Sequence, residues 1–321
     1  MTKVGMASLE LLRNAGCELV MAQKMGPLPE AELLPLLPAF DAVLASVDQF
    51  TAKVLRSPEA KDLKLISRWG VGYDSIDIPV ATEQGIVVAF VPNLLNNAVA
   101  DYTMSMLCAM ARRVHEGHML MTQGIWKQQW GHDIYGKTLG IIGCGRIGKA
   151  VAKRARGFDM RVIGFDPTPE CDDTGIEFVS LEEVLRTSDF VSVHVALTPE
   201  TRNLISTPQL GLMKKTAYLI NTSRGPVVDE PALAQALANH TIAGAALDVF
   251  AKEPLPPDHI FRNTPNLLMS PHQCSWAYET GAAVSNAAAE AIIELSQGRR
   301  PRWVVDPAVY TSSKLRAKMI S

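Results

Sequence analysis

Residues 137–167, KTLGIIGCGRIGKAVAKRARGFDMRVIGFDP, constrain the fold more than any other part of the chain. They hold a short apolar run, a G-x-G-x-x-G turn at Gly143, Gly145 and Gly148, a helical stretch, a second apolar run and an acid, Asp166. That order predicts a βαβ unit that binds a dinucleotide. Gly143 permits a tight turn out of the strand, Gly145 lets the backbone approach a pyrophosphate, and Gly148 lets the helix pack close to the sheet. The helix start offers N–H groups and a partial positive charge to the phosphates. Ile147, Val151, Ala155 and Phe158 are expected on one helical face. Asp166 lies about twenty residues beyond the glycines, where a carboxylate accepts hydrogen bonds from the adenosine ribose. The same carboxylate repels an NADP 2′-phosphate, and Pro167-Thr168-Pro169 supply no arginine to receive one. NAD is therefore the expected cofactor. A methyltransferase can show a similar turn and acid, but the second half of the chain decides against it.

Other apolar runs share this character: DAVLASV (41–47), KLISRWG (64–70), GIVVAFV (85–91), FVSVHVA (190–196), AYLINTS (217–223), AGAALDVF (243–250) and NLLMS (266–270). Continuous apolar runs alternating with helical stretches predict parallel sheets covered on both faces. The fold class is α/β, with one strand–helix series over about 1–97 and a second from the glycine turn onward. NNAVADYTMSMLCAMARRVHEGHMLM (96–121) reads as one long helix. AAVSNAAAEAIIELSQG (282–298) reads as another, stopped by Gly298. A plausible arrangement has two lobes joined by these helices, with the tail PRWVVDPAVY returning to the first. Trp126, Trp130, Trp276 and Tyr278 flank helical stretches, where aromatic rings usually join a core.

A net charge of -2 makes no electrostatic case for nucleic acid. No apolar run is long enough to cross a bilayer, and MTKVGMASLE lacks the apolar core of a signal peptide. Five cysteines are scattered without a C-x-x-C pair. That speaks against a disulfide framework or a bound metal and for a reducing cytoplasm.

Three chemically active residues follow predicted strands in the second half: Arg224 in NTSRGP, Glu253 in DVFAKEP and His272 in SPHQCSW. Residues at the carboxyl ends of parallel strands face the ligand crevice of such folds. A guanidinium can grip a carboxylate with two hydrogen bonds and stabilise a forming alkoxide. An imidazole can deliver a proton near neutral pH, and a carboxylate beside it orients it. Singly, each residue is commonplace in a loop. After consecutive strands, downstream of a dinucleotide turn, they suit the reduction of a small 2-keto acid.

The chain resembles the D-isomer-specific 2-hydroxyacid dehydrogenase family, especially its phosphoglycerate dehydrogenase-like members. The resemblance is carried by RWGVGYDSIDIPVATEQGI (68–86), NNAVADYT (96–103), TLGIIGCGRIGKAVA (138–152), SVHVALTPETRNLI (192–205), INTSRGPVVDEPAL (220–233), AGAALDVFAKEP (243–254) and SPH (270–272). It implies two Rossmann-like doubly wound domains: a discontinuous substrate domain, 1–97 with 286–321, and an NAD-binding domain, 98–285. It implies a homodimer held through the nucleotide domains. It implies that Arg224 and the backbone at Val71 and Gly72 hold the substrate carboxylate, that His272 is the acid/base, and that Glu253 is its partner. Arg146 and Ile147 would meet the pyrophosphate and Asp166 the ribose. Thr222 and Asp248 would lie by the nicotinamide, with Val195 and Thr103 as further cofactor contacts. Two segments depart from the family: Ala196 stands where proline is common, and Gln273–Trp276 replaces a small, glycine-bearing run. The second departure bears against 3-phosphoglycerate as substrate, because in the family this segment borders the substrate; a phosphate would need extra cations, for which Arg68 is a candidate if it is not an ordinary loop arginine. The expected alternative is an NAD-binding regulator resembling the family's transcriptional corepressors.

Overall fold

The structure, a computed structural model, describes residues 3–23, 27–170 and 174–320. Cys171 lies outside them; Cys17, Cys108, Cys144 and Cys274 are free thiols. The chain divides into two units, Met1–Leu95 with Trp276–Ser321, and Asn96–Ser275.

In the first unit, β1 (Ala42–Ala45), β2 (Leu65–Arg68) and β3 (Val87–Ala89) form a parallel sheet in that order. The tail returns to its edge. Val305 N–H donates to Val88 C=O at 2.9 Å, and Ala89 forms an antiparallel bridge with Val304. The helix Tyr278–Ser296 packs on the helix Met6–Asn14 and on β2, where the Ser67 hydroxyl donates to Ala288 C=O at 2.7 Å. It ends as expected at Gly298, with φ +71°. The expected break at 285/286 falls inside this helix, all of which lies in the first unit.

In the second unit, β4 (Thr138–Ile142), β5 (Arg161–Phe165), β6 (Glu177–Phe178), β7 (Phe190–Val193), β8 (Tyr218–Asn221), β9 (Gly244–Leu247) and β10 (Leu267–Met269) form one parallel sheet. Its order is β10-β9-β8-β7-β4-β5-β6. The chain steps outward from β4 through β5 to β6, then crosses back to β7 on the other side of β4. A crevice opens where the strand order reverses, at the carboxyl ends of β4 and β7. The central strands are buried along their whole length, which is why they read as unbroken apolar runs. The two-residue edge strand β6 carries no such signal.

Three local expectations are corrected. Residues 96–121 are two helices, Asn96–Ala111 and Val114–Thr122, divided at Arg113, which has φ +53°. The cause is distant in sequence: the N–H of His132 takes the Ala111 carbonyl at 2.7 Å. Phe158 lies beyond the end of the helix Arg146–Arg156 and is exposed, whereas Val151 and Ala155 are fully buried. Trp126, Trp130, Trp276 and Tyr278 are all exposed rather than core residues.

Candidate active site

The glycine turn shows why each glycine stands where it does. Gly143 has φ +91°, and a Cβ there would come within 2.7 Å of the His194 carbonyl carbon. A Cβ on Gly148 would collide with the Gly143 carbonyl oxygen. Around Gly145 the same test finds no atom within 4 Å, so that face is open. The amides of Arg146 and Ile147, in the first turn of their helix, have no partner among the described residues. Asp166 is pinned beneath the turn. Its Oδ2 accepts from Cys144 N–H at 2.8 Å, and its Oδ1 accepts from Thr168 N–H at 3.0 Å. An open glycine, unpaired helix amides and a fixed carboxylate on the next strand fit a dinucleotide.

His194, just after β7, is held neutral: burial pushes its pKa down to about 4. Its Nε2 pairs with the Ser192 hydroxyl at 2.8 Å. Val195 follows it and packs against the core.

The ends of β8, β9 and β10, neighbours in the sheet, carry the remaining residues of this unit. The His272 Nδ1 and the Glu253 Oε2 are 2.6 Å apart. Glu253 is itself fixed, because its Oε1 accepts from Phe250 N–H at 2.9 Å. With Nδ1 engaged, Nε2 is the imidazole nitrogen left for proton transfer. His272 has φ +52°, a left-handed conformation that costs a non-glycine residue energy and persists only where the surroundings enforce it. The enforcing group is Asp248. Its carbonyl accepts from His272 N–H at 2.8 Å. Its fully buried carboxylate accepts from the Ser270 hydroxyl at 2.5 Å, from Gln273 N–H at 2.9 Å and from Cys274 N–H at 2.8 Å. Four bonds from one aspartate thus shape the loop that presents His272. Burial, and next the Asp248 charge, raise the Cys274 thiol well above its ordinary range, so it stays protonated.

Arg224 opens the loop after β8. Its Nη1 donates to Ser223 C=O at 2.8 Å, and its carbonyl accepts from the Asn221 side chain at 2.9 Å. Asn221, fully buried, also takes Ser223 N–H and hydroxyl on its Oδ1. Thr222 and Thr103 meet through their hydroxyls at 2.9 Å, both buried. Asn221, Gly225 and Ser270 are functional supports that the sequence reading missed. The only signal for them was adjacency, in NTSRG and SPH.

Val71 and Gly72 belong to the other unit, in the turn after β2. Their N–H groups have no partner among the described residues. Arg68 is 5% exposed, and its guanidinium donates within that turn, to Gly72 C=O at 2.7 Å and to Trp69 C=O. Among the described residues no cluster of His, Cys, Asp and Glu could hold a metal ion, and no helix is long and apolar enough to cross a membrane.

Comparison with known proteins identifies the family. Residues 104–274 match the family model described as "D-isomer specific 2-hydroxyacid dehydrogenase, NAD binding domain". A glyoxylate reductase of Thermofilum pendens is 41% identical, over 97% of this chain and 95% of its own. One of Korarchaeum cryptofilum is 44% identical, over 82% and 81%. The crystal structure of the TT0316 protein from Thermus thermophilus superposes with a TM-score of 0.87 at 40% identity, covering 94% of this chain and 96% of that one. The chain belongs to the D-isomer-specific 2-hydroxyacid dehydrogenases, oxidoreductases that use NAD.

Proposed function

We propose that this enzyme interconverts a small, unphosphorylated D-2-hydroxy acid and its 2-keto acid, with glyoxylate and hydroxypyruvate as the leading keto substrates. The observation that carries this is the His272–Glu253 pair at 2.6 Å, set on the strand end next to that of Arg224. The glyoxylate reductase relatives support the substrate size. The commitment of buried Arg68 to the carbonyls of its own turn bears against a phosphate-bearing substrate.

NAD, when bound, supplies or receives the hydride. The turn at Gly143, Gly145 and Gly148 would admit its pyrophosphate, Arg146 and Ile147 would meet it, and Asp166 would hold the adenosine ribose. Thr222 and Asp248 would lie by the nicotinamide, with Val195 and Thr103 as further cofactor contacts. Arg224 is assigned the grip on the substrate carboxylate, and the Val71 and Gly72 amides, without a partner among the described residues, are assigned as carboxylate donors. His272 gives its Nε2 proton to the carbonyl oxygen during reduction and takes it back during oxidation. Glu253 holds the ring in place and offsets the charge of the protonated form. In this reading Met1–Leu95 with Trp276–Ser321 is the substrate domain and Asn96–Ser275 the NAD-binding domain.

The working form is a homodimer joined through the NAD-binding domain. Val114, Met119, Met121, Ile125, Trp126, Trp130 and Tyr135 are all exposed within residues 114–135 of that unit, and exposed apolar surface of this kind marks association sites. A second copy of the chain is the occupant this surface fits. The free thiols suit the cytoplasm.

The test is the loss of NADH absorbance with a panel of 2-keto acids, repeated with NADPH. Turnover of glyoxylate or hydroxypyruvate with NADH is expected. No turnover with any acid, together with a tight protein partner, would favour a regulatory role.

A further inference from the structure

We infer that Arg68 is a positioning residue for substrate binding, whose buried guanidinium shapes the turn that presents the Val71 and Gly72 amides. The inference rests on the reading above that these two amides hold a carboxylate.

The backbone groups of Trp69 and Gly70, just before them, are held in place. Trp69 N–H donates to Ala45 C=O at 2.7 Å and Gly70 N–H to Arg68 C=O at 2.9 Å. Gly70 C=O accepts from Val91 N–H at 2.9 Å. The Trp69 indole N–H is anchored on the Ser285 hydroxyl at 2.9 Å. Arg68 takes two further carbonyls, donating to Gly72 C=O through Nε and to Trp69 C=O through Nη1.

Peptide groups are planar and trans, so the N–H of one residue points opposite the C=O of the residue before it. The clamp of Val91 on Gly70 C=O therefore directs Val71 N–H away from Val91. The clamp of Arg68 on Gly72 C=O fixes the peptide plane on the far side of the pair. Val71 and Gly72 sit between two held planes, and their half-buried N–H groups have no partner among the described residues. Half-buried unpaired amides are costly unless something fills them, and adjacent free N–H groups form an anion site. The guanidinium also packs beneath Gly70, whose φ is +131° and where a Cβ would stand 3.0 Å from Nη1. A planar fork can gather two carbonyls at once; a lysine ammonium cannot reproduce that geometry.

The test compares the wild type with Arg68→Lys and Arg68→Gln. It reads KM and kcat for glyoxylate, Kd for NADH, and the NMR signals of the Val71 and Gly72 amides. The Gln variant should raise KM about tenfold or more, as loss of a charge-assisted contact to the substrate would. Its kcat should stay within about threefold and its NADH affinity should not change, the pattern of lost substrate binding alone. The Lys variant should fall between. Unchanged KM in both variants would overturn the inference. So would parallel damage to KM, kcat and NADH binding, which marks general disorder. If Gln does not fold, Lys decides; if neither folds, Arg68 serves stability and the inference fails. A wild type that turns over no 2-keto acid would sink the functional reading instead. In that case titration with oxalate, a dicarboxylate, still tests the turn. Amide shifts at Val71 and Gly72 that vanish in the Lys variant would support the inference, and shifts equal in both proteins would refute it.

Discussion

Gly225 and Phe250 lie backbone against backbone: a Cβ on Gly225 would overlap the carbonyl carbon and oxygen of Phe250. The contact joins the two loops that matter most, because Gly225 follows Arg224 and the Phe250 N–H is held by Glu253. Gly225→Ala must push them apart. A cost of roughly 1–3 kcal/mol in stability is expected, as for other overpacked sites. It should show as a lower Tm and, since both loops move, a reduced kcat/KM. A variant as stable and active as the wild type would show that the loops tolerate separation.

His272→Ala removes the proposed proton donor and should lower kcat by about 10²–10⁴-fold. NADH binding, measured by fluorescence titration, should be unaffected. Arg224→Lys keeps the charge but loses the fork, and should act mainly through KM for the keto acid. Near-full activity in His272→Ala would remove His272 from the mechanism.

His194 makes stability depend on pH in a defined direction. Its folded pKa of about 4 lies below the ordinary value of 6.5, so the folded state favours the neutral ring. The unfolded chain binds the extra proton first as pH falls. Stability from this residue is thus complete above the ordinary value and is lost between there and about pH 4. From about pH 7 to about pH 5 the loss is about 2 kcal/mol. His194→Gln should flatten that slope in denaturant melts of the protein without cofactor. Equal slopes in both proteins would show that another group governs the acid limb.

Trp130→Glu, combined with Met119→Glu, places charge on the exposed apolar stretch of the NAD-binding unit. Sedimentation should show the wild type as a dimer and the double variant shifted to monomer. A double variant that remains wholly dimeric would move the interface elsewhere.

Much of the fold was legible because its signals are local. Buried parallel strands read as apolar runs, and Gly143 and Gly148 meet steric demands set within the same βαβ unit. Arg224, Glu253 and His272 were legible as residues that follow strands. Their geometry was not. Asp248 shapes the His272 loop from more than twenty residues away in sequence, and Thr103 meets Thr222 across 119 positions. The break at Arg113 also has no local mark, since neither glycine nor proline stands there and the competing donor is His132.

The sequence by itself determined the α/β class, the dinucleotide turn with its acid, and the places of Arg224, Glu253 and His272 just after strands. Period, turn residues and chain order are properties of neighbouring positions. Only the tertiary structure decided that one aspartate would hold the histidine loop, that Arg68 would face its own turn, and that the helix at 278–296 belongs with the first unit. Each of these depends on which distant polar group reaches a buried donor or acceptor first, and no local pattern encodes that.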